Sequence, residues 1–335
     1  MSGFDLNHLE DGDFRFWARR PAILSANALY LLAAAGIPFL SVVLAALMGL
    51  MGLKATDQAL LTPTSLIYYP FLIGLPVFLY AFRREGVARS MRLNPLTPGM
   101  AMVSVLAALA GVMTALALGS LWMLALEGLG ARLVDQSLPV AKTTGALAML
   151  VITSCMMPGV FEELLFRGFI LGAWERRGTK YALVVSTMLF AALHGSILGL
   201  PMQIVLGFAI GYLVINTDSL YAGMIYHTVH NAALVVLSQV QQPAADAAGQ
   251  TLYESVGGMA GVMLLALQVV VYGGVFWAIL AVSGWHREKR GRTFEQIERI
   301  DRTKLNWQEL LVLLAGLVTV GAMYLLDLLQ MIRVY

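Results

Sequence analysis

GALAMLVITSCMMPGVFEELLFRGFILGAW, Gly145 to Trp174, is an apolar run of helix length broken by Glu162, Glu163 and Arg167. Crossing ~30 Å of hydrocarbon takes about 20 apolar residues in a helix, so this run is long enough to span a bilayer. At that depth each ionisable side chain costs about 2.5 to 3.5 kcal/mol on insertion scales, and a segment that keeps three of them needs a functional or paired structural reason.

The rest of the chain has the same character. Of its 335 residues, 59% are hydrophobic and 13% charged, with a mean hydropathy of +0.76, which leaves too little polar surface for a water-soluble fold. Nine apolar segments are expected to span, roughly Ile23 to Leu50, Thr64 to Phe82, Met100 to Leu126, Gly145 to Trp174, Tyr181 to Leu198, Pro201 to Ile215, Tyr221 to Ser238, Val256 to Trp285 and Trp307 to Ile332. The sixth is short and the fourth is interrupted, so eight spans are the alternative. The fold class is an all-α, polytopic integral membrane bundle of about eight to nine helices. Residues 1–144 form its N-terminal helices, 145–240 a core that carries the polar cluster, and 241–335 its C-terminal helices.

Orientation follows from Lys and Arg, which accumulate in cytoplasmic loops. Arg15, Arg19 and Arg20, the loop with Arg83, Arg84, Arg89 and Arg92, the loop with Arg176, Arg177 and Lys180, and the loop from Arg287 to Lys304 put seventeen basic residues on one side. Four lie on the other, which places the N-terminus in the cytoplasm and the C-terminus outside. Trp17, Trp174, Trp285 and Trp307 fall at the same edge, as amphipathic indoles do. In the last loop, Thr293 with Gln296 reads as a capping box opening an amphipathic helix along Phe294, Ile297, Ile300 and Leu305, lying on the cytoplasmic leaflet. The net charge of +2 is a topology signal, and no nucleic-acid partner is expected. A lone Cys155 excludes an intrachain disulfide and any multi-cysteine metal site, and small buried filler is its simplest role.

Ionisable and amide side chains cluster on three spans: Glu162, Glu163 and Arg167 on the fourth, His194 on the fifth, and His227, His230 and Asn231 on the seventh. At ~100° per residue Glu163 and Arg167 share a face and Glu162 points away, so Glu163 pairs with Arg167 and Glu162 is left for chemistry. Pro158 and Gly159 just before them predict a kink or the start of a half-helix. The fourth and fifth spans join through a tight turn at Gly178. Glu162 lies sixteen residues before it and His194 sixteen after, which sets them at matching depth. Phe190 with His194, and His227 with Asn231, are i, i+4 pairs that each share a face. A glutamate facing a histidine in a dry pocket can activate water, and a second histidine with an asparagine can donate to the oxyanion formed on an attacked amide carbonyl. His230 reads as a packing residue, and Gly207 with Gly211 as a close helix contact.

FEELLFRG, FAALH and HTVHN, in order on separate helices, resemble the three motifs of the CAAX-processing and bacteriocin-processing (CPBP) family of intramembrane proteases, which includes the type II CAAX prenyl endopeptidases. The resemblance covers roughly Gly145 to Leu237. It implies a fold of about eight membrane helices, Glu162 and His194 as the water-activating pair, and His227 with Asn231 as the oxyanion site. Glu163, Arg167 and Phe190 are supporting residues. The expected partners are the bilayer and a membrane-anchored or prenylated peptide, cut at a site facing the cytoplasmic half, with no cofactor.

Zinc is the mechanistic alternative, with Glu162, His194 and His227 as ligands, although no HExxH arrangement is present. A catalytically idle immunity or scaffolding protein is the functional alternative. A proton-coupled transporter predicts internal repeats that the sequence lacks. A serine protease predicts a Gly-x-Ser-x-Gly turn, which is also lacking.

Overall fold

A computed structural model describes residues 21–54, 57–82, 91–131, 140–240, 251–289 and 305–332. The capping box at Thr293 and Gln296 lies outside them with its amphipathic stripe, except Leu305, which packs against the core. The described residues are helical: α1 Ile23–Leu50, α2 Asp57–Ile67, α3 Leu75–Phe82, α4 Pro98–Gly128, α5 Thr144–Val151, α6 Met157–Glu163, α7 Leu171–Trp174, α8 Thr179–Leu193, α9 Leu200–Thr217, α10 Leu220–Val240, α11 Leu252–Ser255, α12 Gly258–Lys289 and α13 Trp307–Ile332. Segments of π-helix, Tyr68–Gly74, Ile152–Met156 and Leu164–Ile170, join α2 to α3, α5 to α6 and α6 to α7 without a break in direction.

Among the described residues, eight helical stretches are long and apolar enough to cross a membrane. Their outward faces are apolar too. Phe39 on α1, Val270 on α12 and Val318 on α13 are 71%, 71% and 72% exposed, a surface suited to lipid. Polar residues start the helices at their ends. Thr97 and Thr143 cap α4 and α5 by accepting from the Met100 and Ala146 N–H groups, and Pro98 supplies a preset φ at the first position of α4.

Of the nine segments expected, the short one is the fifth and not the sixth. α8 has 15 residues and stops at Leu193, whereas α9 reaches 18. The stop has a local cause. His194 turns its ring back, and Nδ1 bonds to the Phe190 carbonyl at 2.9 Å in place of a backbone N–H. Its own N–H tightens onto Ala191 O, and Gly195 then leaves the helix at φ +61°.

Of the two outcomes expected at Pro158, a kink or the start of a half-helix, the second is not seen. A π-segment precedes the proline, and the fourth span runs on from Thr144 to Arg177. The turn at Gly178 is as expected, at φ +110°.

Helix packing sorts the loops into two sets. Arg92, after the second span, bonds Glu175 at 2.6 Å and meets Asp218 at 3.2 Å, joining the turns that follow the fourth span and α9 at one end. At the other, Trp122 donates to Ile197 O, and Glu127 accepts from the Leu252 N–H. α13 lies along α1, α12 along α4, and α10 packs between α4 and α6.

Candidate active site

The site is built on α6, which is seven residues long and bounded by two π-segments. Gly159 lets α6 cross α10 closely: a Cβ there would lie 2.1 Å from Thr228 Oγ1 and 3.1 Å from the Thr228 backbone nitrogen. That approach brings the glutamates to His227. Glu163 Oε1 accepts from Arg167 Nη1 at 2.9 Å and from His227 Nδ1 at 2.8 Å, all three side chains fully or almost fully buried. Gly223 on α10 leaves room for the same carboxylate, since a Cβ there would stand 3.0 Å from Oε2.

Arg167 is the centre of the packing. Its Nη2 donates to Gly207 O at 2.8 Å, and its guanidinium lies 4.5 Å over the Phe190 ring. Phe190 in turn meets the His194 ring at 4.8 Å and the His227 ring at 5.8 Å between centroids. A motif phenylalanine therefore seats both histidines and the cation, and a buried charge with these partners is tolerated. The glycines expected to mark close packing do so: a Cβ at Gly207 would touch Phe190 at 3.1 Å, and one at Gly211 would meet Leu183 at 2.5 Å.

Glu162 is directed elsewhere, as its helical phase predicts. Its Oε1 accepts from Tyr69 Oη at 2.7 Å, and Oε2 has no protein partner. Glu162, His194, His227 and Asn231 all line one cavity of about 500 Å³, together with His230, Gln203 and Met323. Asn231 Nδ2 donates to Ser154 O at 3.0 Å. Ser154 lies in the π-segment that leads into α6, so the asparagine is tied to the same stretch of chain that carries the glutamates. One N–H of the amide remains.

The partners fix the tautomers. A carbonyl only accepts, so His194 carries its proton on Nδ1 and in the neutral ring presents Nε2 as an acceptor. The Glu163 carboxylate, already paired with Arg167, makes His227 Nδ1 a donor in the same way.

Three contributors escaped the sequence reading. Tyr69 sits in an ordinary aromatic stretch and carried no signal. Ser154 acts through its backbone. Asp327, on α13, accepts from the Ile197 N–H at 2.7 Å and holds the loop that follows His194; an ionisable residue inside an apolar span was a readable sign. His230, read as packing, lines the cavity. Among the described residues no group of three His, Cys, Asp or Glu is placed to hold a metal ion. Cys155 is buried filler in a small cluster with Leu150 and Val235.

Residues 144–233 match the family model described as type II CAAX prenyl endopeptidase Rce1-like. A Bacillus subtilis (strain 168) protein described as "Putative membrane peptidase YdiL" is 25% identical over 93 residues, 28% of this chain and 38% of that protein. The match therefore spans well under half the length of that relative. No solved structure matches significantly. The matched segment holds all three motifs, and the resemblance read from them is borne out.

Proposed function

We propose, from a segment that matches CAAX-type membrane endopeptidases, that this protein hydrolyses a peptide bond in a membrane-anchored or lipid-modified substrate. The observation that carries the proposal is that Glu162, His194, His227 and Asn231, from three separate stretches of helix, line a single cavity.

A water held between Glu162 and His194 donates one hydrogen to the carboxylate and the other to His194 Nε2. Glu162 takes its proton as the oxygen attacks the carbonyl carbon. Negative charge moves to the carbonyl oxygen, where the free N–H of Asn231 Nδ2 and His227 Nε2–H meet it. For that role His227 must carry a proton on Nε2 beside the one that Nδ1 gives Glu163, and Glu163 supplies the counter-charge. Glu162 then passes its proton to the departing amide nitrogen, the C–N bond breaks, and a carboxylic acid and an amine result. Tyr69 and Phe190 position Glu162 and His194, and the Glu163–Arg167 pair positions His227. No step passes through a metal. The N-terminus is assigned to the cytoplasm and the site to the cytoplasmic half by the distribution of basic residues.

The test is cleavage of quenched-fluorescent peptides, a prenylated C-a-a-X member among them, by detergent-purified wild type and Glu162→Gln, with and without a zinc chelator. Cleavage lost in the variant and indifferent to chelator is the expected result. Chelator sensitivity reversed by added zinc would overturn the mechanism. A folded wild type as silent as the variant across the panel would favour the idle scaffold.

A further inference from the structure

The last span lies outside residues 144–233, the segment that matches the family model, yet it reaches the catalytic cavity, which Met323 of α13 lines. Asp327 stands one turn further along the same helix. Leu325, Leu326 and Leu328 around it are exposed on the face suited to lipid, and an acidic side chain kept in such a span needs a partner or a task.

Three side chains of α13 converge on the end of α8, on either side of His194. Tyr324 Oη donates at 3.2 Å to Ala191 O, the same carbonyl that takes the His194 N–H. Met323 lies against Gly195, where a Cβ would stand 2.8 Å from the Met323 Cε and 3.0 Å from its Cβ. Asp327 Oδ2 accepts from the Ile197 N–H at 2.7 Å. From the opposite side Trp122 of α4 donates to Ile197 O at 2.8 Å, so both backbone polar groups of Ile197 are held by side chains of the flanking helices. The last turn of a helix frays when its carbonyls lack partners, and His194 depends on that turn. The bond from Nδ1 to Phe190 O decides which ring nitrogen is left bare for the cavity. An opened turn would free the ring to rotate and its proton to move to Nε2.

We infer that Asp327, with Tyr324, is a positioning residue for His194: the last span clamps the end of α8, so that the ring keeps its Nδ1 proton on Phe190 O and presents Nε2 to the catalytic water. The inference rests on the peptidase reading. It extends the catalytic device to a helix that carries none of the three motifs.

The experiment pairs steady-state cleavage of a peptide that wild type cuts with the ¹⁵N spectrum of histidine-labelled protein in detergent, where the His194 ring is identified by its loss in His194→Ala. Wild type is expected to show His194 as the Nδ1–H tautomer. Asp327→Leu, an apolar change on a half-buried position of a lipid-facing helix, is expected to lower kcat about 10- to 100-fold with KM little changed, and to turn the His194 signal into a mixture of tautomers. Asp327→Asn, whose amide oxygen still accepts from Ile197, restores most of both. Tyr324→Phe, which keeps the ring and loses a neutral hydrogen bond, lowers kcat about two- to tenfold. Wild-type kcat in Asp327→Leu, a fall in kcat with the His194 tautomer unchanged, or a wild-type His194 protonated on Nε2 alone overturns the inference and leaves the peptidase reading intact. A wild type that cleaves nothing overturns that reading, and this inference with it.

Discussion

Replacing Arg167 by methionine separates its structural from its chemical role. The side chain is completely buried and makes an ion pair with Glu163 at 2.9 Å, a bond to Gly207 O at 2.8 Å, and a face contact with Phe190 at 4.5 Å. Gly207 O lies inside α9 and keeps its helical partner, so its loss counts little. The ring contact is worth about 2 kcal/mol when desolvated. The largest cost comes from Glu163, stranded as a buried charge. Removing one member of such a pair costs about 3 to 5 kcal/mol, whereas removing both is often close to neutral. Arg167→Met is therefore expected to lose about 3 to 5 kcal/mol, and the double variant Glu163→Gln, Arg167→Met to regain about 2 kcal/mol of it. In the double variant, His227 Nδ1–H still finds an oxygen on the glutamine. The assay is reversible unfolding in mixed dodecyl maltoside and dodecyl sulfate micelles, followed by tryptophan fluorescence. A double variant no more stable than Arg167→Met would refute the reasoning, as would a single variant within about 1 kcal/mol of wild type.

Tyr69→Phe removes the 2.7 Å bond to Glu162; hydrogen bonds to a charged group are worth about 1.5 to 3 kcal/mol, so kcat should fall about 10- to 100-fold with KM little changed in steady-state cleavage. Gly159→Val cannot be accommodated against the Thr228 backbone, and it should destabilise the protein by about 1 to 3 kcal/mol and abolish cleavage; a variant with full activity would show that α6 and α10 do not need this approach. Glu254, which closes a capping box with Thr251 outside the spans, accepts from the Thr251 N–H, and this holds its carboxyl below the ordinary value of 4.5. Its contribution is fully present above about pH 4.5 and is lost as acid protonates it. A ¹³C titration of the Glu254 carboxyl with a midpoint at or above that value would contradict the cap.

Much of the site was legible because a membrane makes polar residues conspicuous. Glu162, Glu163, Arg167, His194, His227 and Asn231 stand out in apolar spans, and helical phase alone separated the paired glutamate from the free one. Phase could not show that Glu163 also holds His227, since that contact depends on how closely two helices cross, and Gly159 and Gly223 set this only in three dimensions. Nor did hydropathy mark the end of α8. Ser196 to Leu198 continue the apolar pattern, but the His194 ring and Gly195 terminate the helix through hydrogen bonding and φ, which a hydropathy window does not register. The π-segments were hidden for a related reason, because one extra residue in a turn leaves composition unchanged.

Those segments have a consequence for how such a chain can change by descent. A π-turn holds one residue more than the α-turn it replaces, so α6 is flanked on each side by a removable residue. Deleting one between Ile152 and Met156 would restore regular helix and rotate everything before it by about 100° relative to Glu162. Ser154 would leave Asn231 while the glutamates kept theirs. A one-codon loss in this segment is thus enough to part the Ser154 carbonyl from Asn231 while leaving the Glu163–His227 bond in place, and a one-codon gain would restore it.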